Sequence, residues 1–287
     1  MSSVLIIAHH DRSDAWELAR STATWLRERD HSVWMPAEDA ELFGLEELAG
    51  DRPAADADLV VCLGGDGSML RAVNLLAGAP VPLLGVNLGR LGYLTEIEVD
   101  QITESLERID AGPEQGSWQV DERMMLDVHA TTADGVELGS WCALNEAVVE
   151  KRDSGQTANL LVRIDGEPFT SYAADGLIVS TPTGSTAYSL SARGPIVSPK
   201  HRALLITPVA PHTLFDRSLV LDPTETVEVE VLGERAAAVV VDGRPVRDLA
   251  TGDKLRCVPS AATARFVRFG VHHYHQVLKA KFGLTDR

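Results

Sequence analysis

The feature that most limits what this chain can fold into is a change of hydrophobic period near residues 112–116. Before it, short apolar runs alternate with helical patterns. SVLIIA (3–8), SVWM (32–35), DLVVCLGGDG (58–67) and VPLLGVN (81–87) read as buried strands. Helices are expected at 14–30, weakly at ELFGLEEL (41–48), at 68–77 and at 101–112, where Gly112-Pro113 stops the last one. In the first of them Ala15, Leu18, Ala19, Thr22, Trp25 and Leu26 recur at helical spacing, with Ser13 or Asp14 as the cap. Alternation of this kind implies a parallel sheet in an α/β layer.

After the change, apolar residues recur at every second position. Residues 118–170 alternate, with Asp134-Gly135 and Asp165-Gly166 as turns, and predict a β-meander. Strand patterns return at 203–209, 217–222, 226–233, 236–246, 254–260 and 264–270, before a short terminal helix. The chain of 287 residues suits two modest domains at ~100–200 residues each. The expected division is an α/β domain at 1–114, a β-rich domain at 115–264, and a segment at 265–287 that packs back on the first. No run approaches ~18 uncharged apolar residues, so no transmembrane helix is expected. The start, VLIIAHH, has neither a basic leader nor a small-residue cleavage site, and reads as cytoplasmic.

Charge narrows the partners. Acidic residues outnumber basic ones 42 to 26, a formal net of −16, which repels nucleic acid and anionic membranes. A phosphate-bearing ligand must then be held locally, by glycine-rich backbone, helix N-termini or a metal ion. Only 5 of the 26 basic residues are lysine, a balance that suits a salt-rich cytoplasm and suggests a halophilic archaeon as the source. Cys62, Cys142 and Cys257 are far apart, with no metal or redox spacing, and read as small buried hydrophobes.

Four stretches could carry chemistry. Gly64-Gly65-Asp66-Gly67-Ser68 follows an apolar strand and opens a helix, where open parallel sheets bind ligands. Its glycines would let backbone N–H groups approach phosphate oxygens, and Asp66 could accept a hydroxyl proton or help hold a metal. The same residues also fit a tight turn with a capping aspartate. The usual P-loop and GxGxxG fingerprints are absent. Asn145-Glu146 interrupts an apolar run, which is costly if buried without partners, and an asparagine suits the edge of an adenine; a water-facing edge or bulge is the alternative. In 175–191 a strand leads into a turn and a helix at 185–192, with seven Ser/Thr hydroxyls between 180 and 191 able to bind phosphate or ribose without a lysine. Asp242-Gly243-Arg244 has the form of a type I′ hairpin turn. His212 reads as structural. The cluster His272-His273-Tyr274-His275 could bind a metal, although polar packing explains it more simply.

In order along the chain, LGGDGSMLRA (63–72), GVNLGRLGYLTE (85–96), LNEAVV (144–149), DGLIVSTPTGSTAYSLSARGPIV (175–197), ITPVAPHTL (206–214) and VVVDGR (239–244) resemble the NAD kinase family. The third-from-last of these is the specific one; GGDG alone is shared with lipid and phosphofructo-kinases. The resemblance implies two domains, α/β then β-rich, with an active site between them. It implies transfer of the γ-phosphoryl of ATP, or of polyphosphate, to the 2′-hydroxyl of the adenosine ribose of NAD, with Mg²⁺. It assigns the general base to Asp66 and dinucleotide contacts to Gly65, Gly67, Arg71, Asn145, Glu146, Asp175, Thr183, Thr186, Ala187, Tyr188 and Ser191. It has Asp242 reach across a subunit interface, and so implies a homodimer or homotetramer. Three positions depart from the family pattern: Ala173 stands where an arginine is frequent, Arg193 where a glycine is, and Arg244 where a glutamine is. A lipid or sphingoid-base kinase and a non-catalytic NAD(H) sensor are the competing readings; retention of Asp66 speaks against the sensor.

Overall fold

A computed structural model describes residues 2–153, 155–270 and 274–284. It divides the chain into two compact units, Met1–Glu122 with Ala264–Arg287, and Arg123–Thr263.

In the first unit the strands Ser3–Ala8, Ser32–Pro36, Ala49–Gly50, Leu59–Gly64 and Pro82–Asn87 form a parallel sheet. The chain builds outward from Ser3–Ala8 through 32–36 to 49–50, then returns to lay 59–64 and 82–87 on the other side. The reversal puts a switch point at the carboxyl ends of 3–8 and 59–64, where His9 N donates to Leu63 O at 3.0 Å. Open sheets of this kind bind ligands at that point. Helices Ser13–Arg27, Asp66–Leu76 and Ile102–Asp110 cover the sheet with apolar faces. A core including Ile6, Ala19, Leu26, Val61, Leu63 and Leu106 is sealed from water. The last strand, Lys254–Arg268, pairs with 82–87 through Arg265 and Phe266. The helix expected at 101–112 ends earlier, at Asp110, and Gly112–Gly116 is a short helix of its own with proline in its first turn.

The second unit is antiparallel. One sheet carries the hairpins Gln119–Thr131 with Glu137–Ala143 and Ala158–Ile164 with Glu167–Ala174, together with Val227–Leu232 and Lys254–Arg268. The other has the order 219–221, 204–209, 176–180, 146–151, 237–241, 244–249. Inward residues of both sheets, among them Leu126, Val149, Leu160, Leu177 and Val239, make one shared core. The expected meander is therefore corrected: strand Glu146–Lys151 leaves the first hairpin at Asn145 and becomes a central strand of the other sheet. Asp165-Gly166 and Asp242-Gly243 have positive φ at both residues of a two-residue loop, the type I′ geometry. The boundary falls inside strand 119–131 rather than at the glycines of 112–116.

Cys62 and Cys257 are fully buried, and burial pushes both thiols up; Cys142, half-buried beside Asp127, is pushed up to about 12. His212 donates its backbone N–H to Ala173 O. No described helix is long and apolar enough to cross a membrane.

Candidate active site

In the first unit, strand 59–64 ends in Gly64 and helix Asp66–Leu76 begins two residues later. The turn is tight because Gly64 lacks a Cβ: one built there would lie 2.2 Å from Ser68 Oγ. Gly65 and Gly67 are different. Nothing stands within 4 Å of a Cβ built at either, so the backbone there is open to a ligand.

Asp66 opens the helix, and both its oxygens are held by backbone. Tyr93 N donates to Oδ2 and Leu94 N donates to Oδ1, each at 2.9 Å. Each oxygen keeps a further lone pair, and the side chain is half-buried. The approach depends on Gly92, whose absent Cβ would sit 2.4 Å from Asp66 Oδ1 and 2.8 Å from Thr95 Oγ1. Gly85 has the same function one layer down, admitting Met69 and the backbone of Thr95. Gly92, Tyr93 and Leu94 thus belong to the site although the sequence reading assigned them no role. The signal was present in GVNLGRLGYLTE, where glycines recur beyond what a turn requires.

Arg71 has carboxylate partners within its own unit. Its guanidinium forms a two-pronged pair with Asp39, Nη1 to Oδ2 at 2.7 Å and Nη2 to Oδ1 at 2.5 Å. Asp39 is fully buried and also meets His10 Nε2 at 2.9 Å. Burying that carboxylate requires a paired cation, so Arg71 ties helix Asp66–Leu76 to Asp39.

The second unit holds the other residues. Asp242 is buried and accepts backbone N–H bonds from Leu144 at 2.8 Å, Asn145 at 2.8 Å and Glu146 at 3.2 Å. Burial pushes its carboxyl up, and the three donors oppose that shift. Asp242 thus fixes the Asn145-Glu146 turn of its own chain, Oδ1 accepting two of these bonds and Oδ2 one.

That turn aims Glu146 inward. It is 6% exposed, and Oε2 has no partner. Burial, with Asp242 nearby, pushes its carboxyl up to about 8, while the Tyr188 backbone N–H opposes the rise. Burial pushes the Tyr188 phenol up, and the charges of Glu150, Asp175 and Glu146 within electrostatic reach add to the rise. Asp175 is paired with Lys151 Nζ at 2.7 Å. Asn145, Glu146, Asp175 and Tyr188 are thus brought into one neighbourhood of this unit.

The stretch 180–191 is less of a ligand cradle than its composition suggests. It forms a 3₁₀ turn, Gly184–Thr186, and a single helical turn, Tyr188–Ser191, separated at Ala187, and not the continuous helix expected at 185–192. Several hydroxyls are spent internally. Thr181 Oγ1 donates to Leu144 O at 2.6 Å, Ser185 bonds both backbone groups of Val197, and Ser189 meets Thr207. Gly184 lets the turn press on Asn145, whose carbonyl oxygen would lie 2.2 Å from a Cβ. Thr183 is buried, Thr186 and Ala187 are half-buried, and Tyr188 and Ser191 are exposed. Arg193 is exposed with φ of 66°, which explains physically why a glycine suits that position.

A divalent cation has one suitable side chain in the loop. Among the described residues no three His, Cys, Asp or Glu side chains gather into a metal site. The hard oxygens of Asp66 fit Mg²⁺ that is carried mainly by nucleotide phosphates. In the histidine cluster, His272 and His273 lie outside the described residues; Tyr274 begins helix Tyr274–Lys281, its ring 6.3 Å from that of Tyr93.

Comparison with known proteins bears on both units. Residues 4–113 match the ATP-NAD kinase N-terminal domain and residues 144–269 the ATP-NAD kinase C-terminal domain. The NAD kinase of Heliobacterium modesticaldum is 41% identical over 98% of both chains, and that of Leifsonia xyli is 38% identical over 98% of this chain and 94% of its own. Yeast NADH kinase, solved with NADH, superposes with a TM-score of 0.90 at 25% identity, covering 100% of this chain and 89% of that one. An NAD kinase from Archaeoglobus fulgidus, solved with ATP, shares the fold at a TM-score of 0.68 and 23% identity, covering 99% and 98%. The sequence relatives are bacterial, so an origin in a halophilic archaeon is not supported, and neither the lipid-kinase nor the sensor reading is favoured. With both domains matched in order and close relatives aligned nearly end to end, this chain belongs to the NAD kinase family of phosphotransferases.

Proposed function

We propose that Asp66 is the general base of the reaction. It takes the proton of the 2′-hydroxyl on the adenosine ribose of NAD as that oxygen accepts the γ-phosphoryl of ATP, giving NADP and ADP. The observation that carries the reading is the Asp66 carboxylate itself. It stands at the switch point of a parallel sheet, beside two glycines with open space above them, and two backbone donors fix its direction while lone pairs remain free. A charged side chain oriented by rigid backbone loses little on meeting its substrate.

Asn145, Glu146, Asp175, Thr183 and the 186–191 stretch are the dinucleotide contacts in this reading. The unpartnered Glu146 Oε2 supports it, since a buried acceptor without a donor is costly unless a ligand hydroxyl completes it. When bound on the ATP phosphates, with Asp66 as a ligand from the chain, Mg²⁺ would neutralise charge on the transferring group. We place the enzyme in the cytoplasm as a homo-oligomer, with sedimentation velocity as the check on assembly.

The test is Asp66→Asn, assayed for NADP formation from NAD, ATP and Mg²⁺ in low salt and in molar KCl, beside NAD binding by calorimetry. Loss of about 10²–10⁴-fold in kcat with binding retained is expected. Equal collapse of binding and turnover would make Asp66 structural. Wild-type turnover confined to molar KCl would assign the net −16 to salt adaptation.

A further inference from the structure

The peptide segment that holds Asp66 is itself held from behind. Arg268 is the last residue of strand Lys254–Arg268 and is 1% exposed. Its Nη1 donates to the carbonyl oxygens of Leu94 at 3.1 Å and Thr95 at 3.3 Å, and to Glu96 Oε2 at 2.9 Å. The other Glu96 oxygen accepts the backbone N–H of Phe269 at 2.7 Å. Arg268 Nε lies 3.5 Å from Asp121 Oδ2. Leu94 is therefore gripped on both sides, its N–H by Asp66 and its C=O by Arg268. Two consecutive peptide planes are fixed, one by the reacting carboxylate and one by a buried cation.

We infer that Arg268 is a positioning residue for the phosphoryl-transfer step, acting on Asp66 through the 93–96 segment. The inference rests on the reading of Asp66 as the base. Its physical basis is multiplicity. A single guanidinium nitrogen, Nη1, meets two carbonyls and a carboxylate, and the planar group fixes its direction; a lysine carries its ammonium on a flexible stem and does not hold a nitrogen at that point in the same way. A buried charge of this kind is weak evidence for stability alone, because apolar packing serves as well. Its direct grip on the peptide that orients Asp66 gives it a specific task. The chain thus brings a residue from its carboxyl-terminal end to a site founded on residue 66.

The experiment compares wild type with Arg268→Lys, and with Glu96→Gln in case the first does not fold. Two readouts are taken from each: kcat and KM for NAD, and the amide proton shifts of Tyr93 and Leu94 in a deuterated, ¹⁵N-labelled sample. Asp66→Asn marks where those two shifts move when the carboxylate contact is weakened. In Arg268→Lys, kcat should fall at least about tenfold with KM little changed, and both amide signals should move toward their Asp66→Asn positions. Glu96→Gln should give the same pattern at smaller amplitude. Unchanged kcat overturns the inference, as does a fall in kcat with both amides at their wild-type shifts. If Asp66→Asn itself turns over normally, the base reading fails, while the amide shifts still decide whether Arg268 sets the position of Asp66.

Discussion

Gly92→Ala tests the geometry around Asp66 with one added methyl group. The new Cβ would lie 2.4 Å from Asp66 Oδ1, where ordinary contact begins at 3.4 Å. The carboxylate must therefore retreat by about 1 Å, because Thr95 Oγ1 at 2.8 Å blocks escape of the methyl on the other side. Residue 92 is not in the left-handed region, so alanine brings no backbone penalty and the collision falls on the side chain. A retreat of this size breaks the two 2.9 Å bonds from Tyr93 and Leu94. It takes the base out of line with its proton, at a cost of about 10²-fold in kcat, or ~2.7 kcal/mol of transition-state free energy. Overpacking adds about 1–3 kcal/mol of lost stability, visible as a lower Tm.

The assay is steady-state NADP formation beside NAD calorimetry and a thermal melt. NAD affinity should stay within about threefold, since a change confined to the transition state lowers kcat and spares binding. The double variant with Asp66→Asn should be no slower than Asp66→Asn alone, as expected of two changes acting through one group. A Gly92→Ala enzyme within about twofold of wild-type kcat would refute the steric argument. A full hundredfold loss added to that of Asp66→Asn would show that Gly92 acts on something else.

Two further outcomes concern the second unit. Asp242→Asn turns an amide NH₂ toward backbone donors in place of an accepting oxygen; each orphaned N–H costs about 1–3 kcal/mol, read as a lower urea midpoint, with KM for NAD rising as the Asn145-Glu146 turn loosens. Glu146 is held near 8 against an ordinary 4.5, so its cost to the folded state is absent below pH ~4.5, grows as pH rises to about 8 and is constant above. Glu146→Gln should flatten the Tm–pH curve across that window and melt higher than wild type at pH 8, with a ceiling of ~5 kcal/mol.

The parallel half was legible because its strands are buried on both faces. Runs such as LVVCL and PLLGVN can hardly be anything else, and the loop at Asp66 follows from where such a strand must end. The Asp165-Gly166 and Asp242-Gly243 turns were equally legible, since their type depends on two adjacent residues. Partners distant in sequence were not. Asp39 meets Arg71 across 32 positions, Asp242 meets Leu144 across 98, and Arg268 meets Leu94 across 174. Local periodicity says nothing about such pairs. The resemblance located Arg71 and Asp242 in the site by position, and the structure adds the partners that each has within its own chain. The strand 146–151 was misassigned to a meander because alternation reports which face is buried and not which sheet the strand joins.

Asp66 and Asp242 show how little the residue type alone decides. Both follow buried strands, both stand beside glycines, and both accept backbone N–H bonds near 2.8–2.9 Å. At Asp66 the backbone is the fixed party. Two donors from a loop anchored by Gly92 and Arg268 hold a carboxylate that is half-buried and keeps lone pairs for further contacts. At Asp242 the carboxylate is the fixed party. Buried at the tip of a hairpin, it gathers three donors and shapes the turn that aims Glu146. The number of donors accepted and the exposure of the oxygens set the two carboxylates apart, and neither quantity is written in the motif.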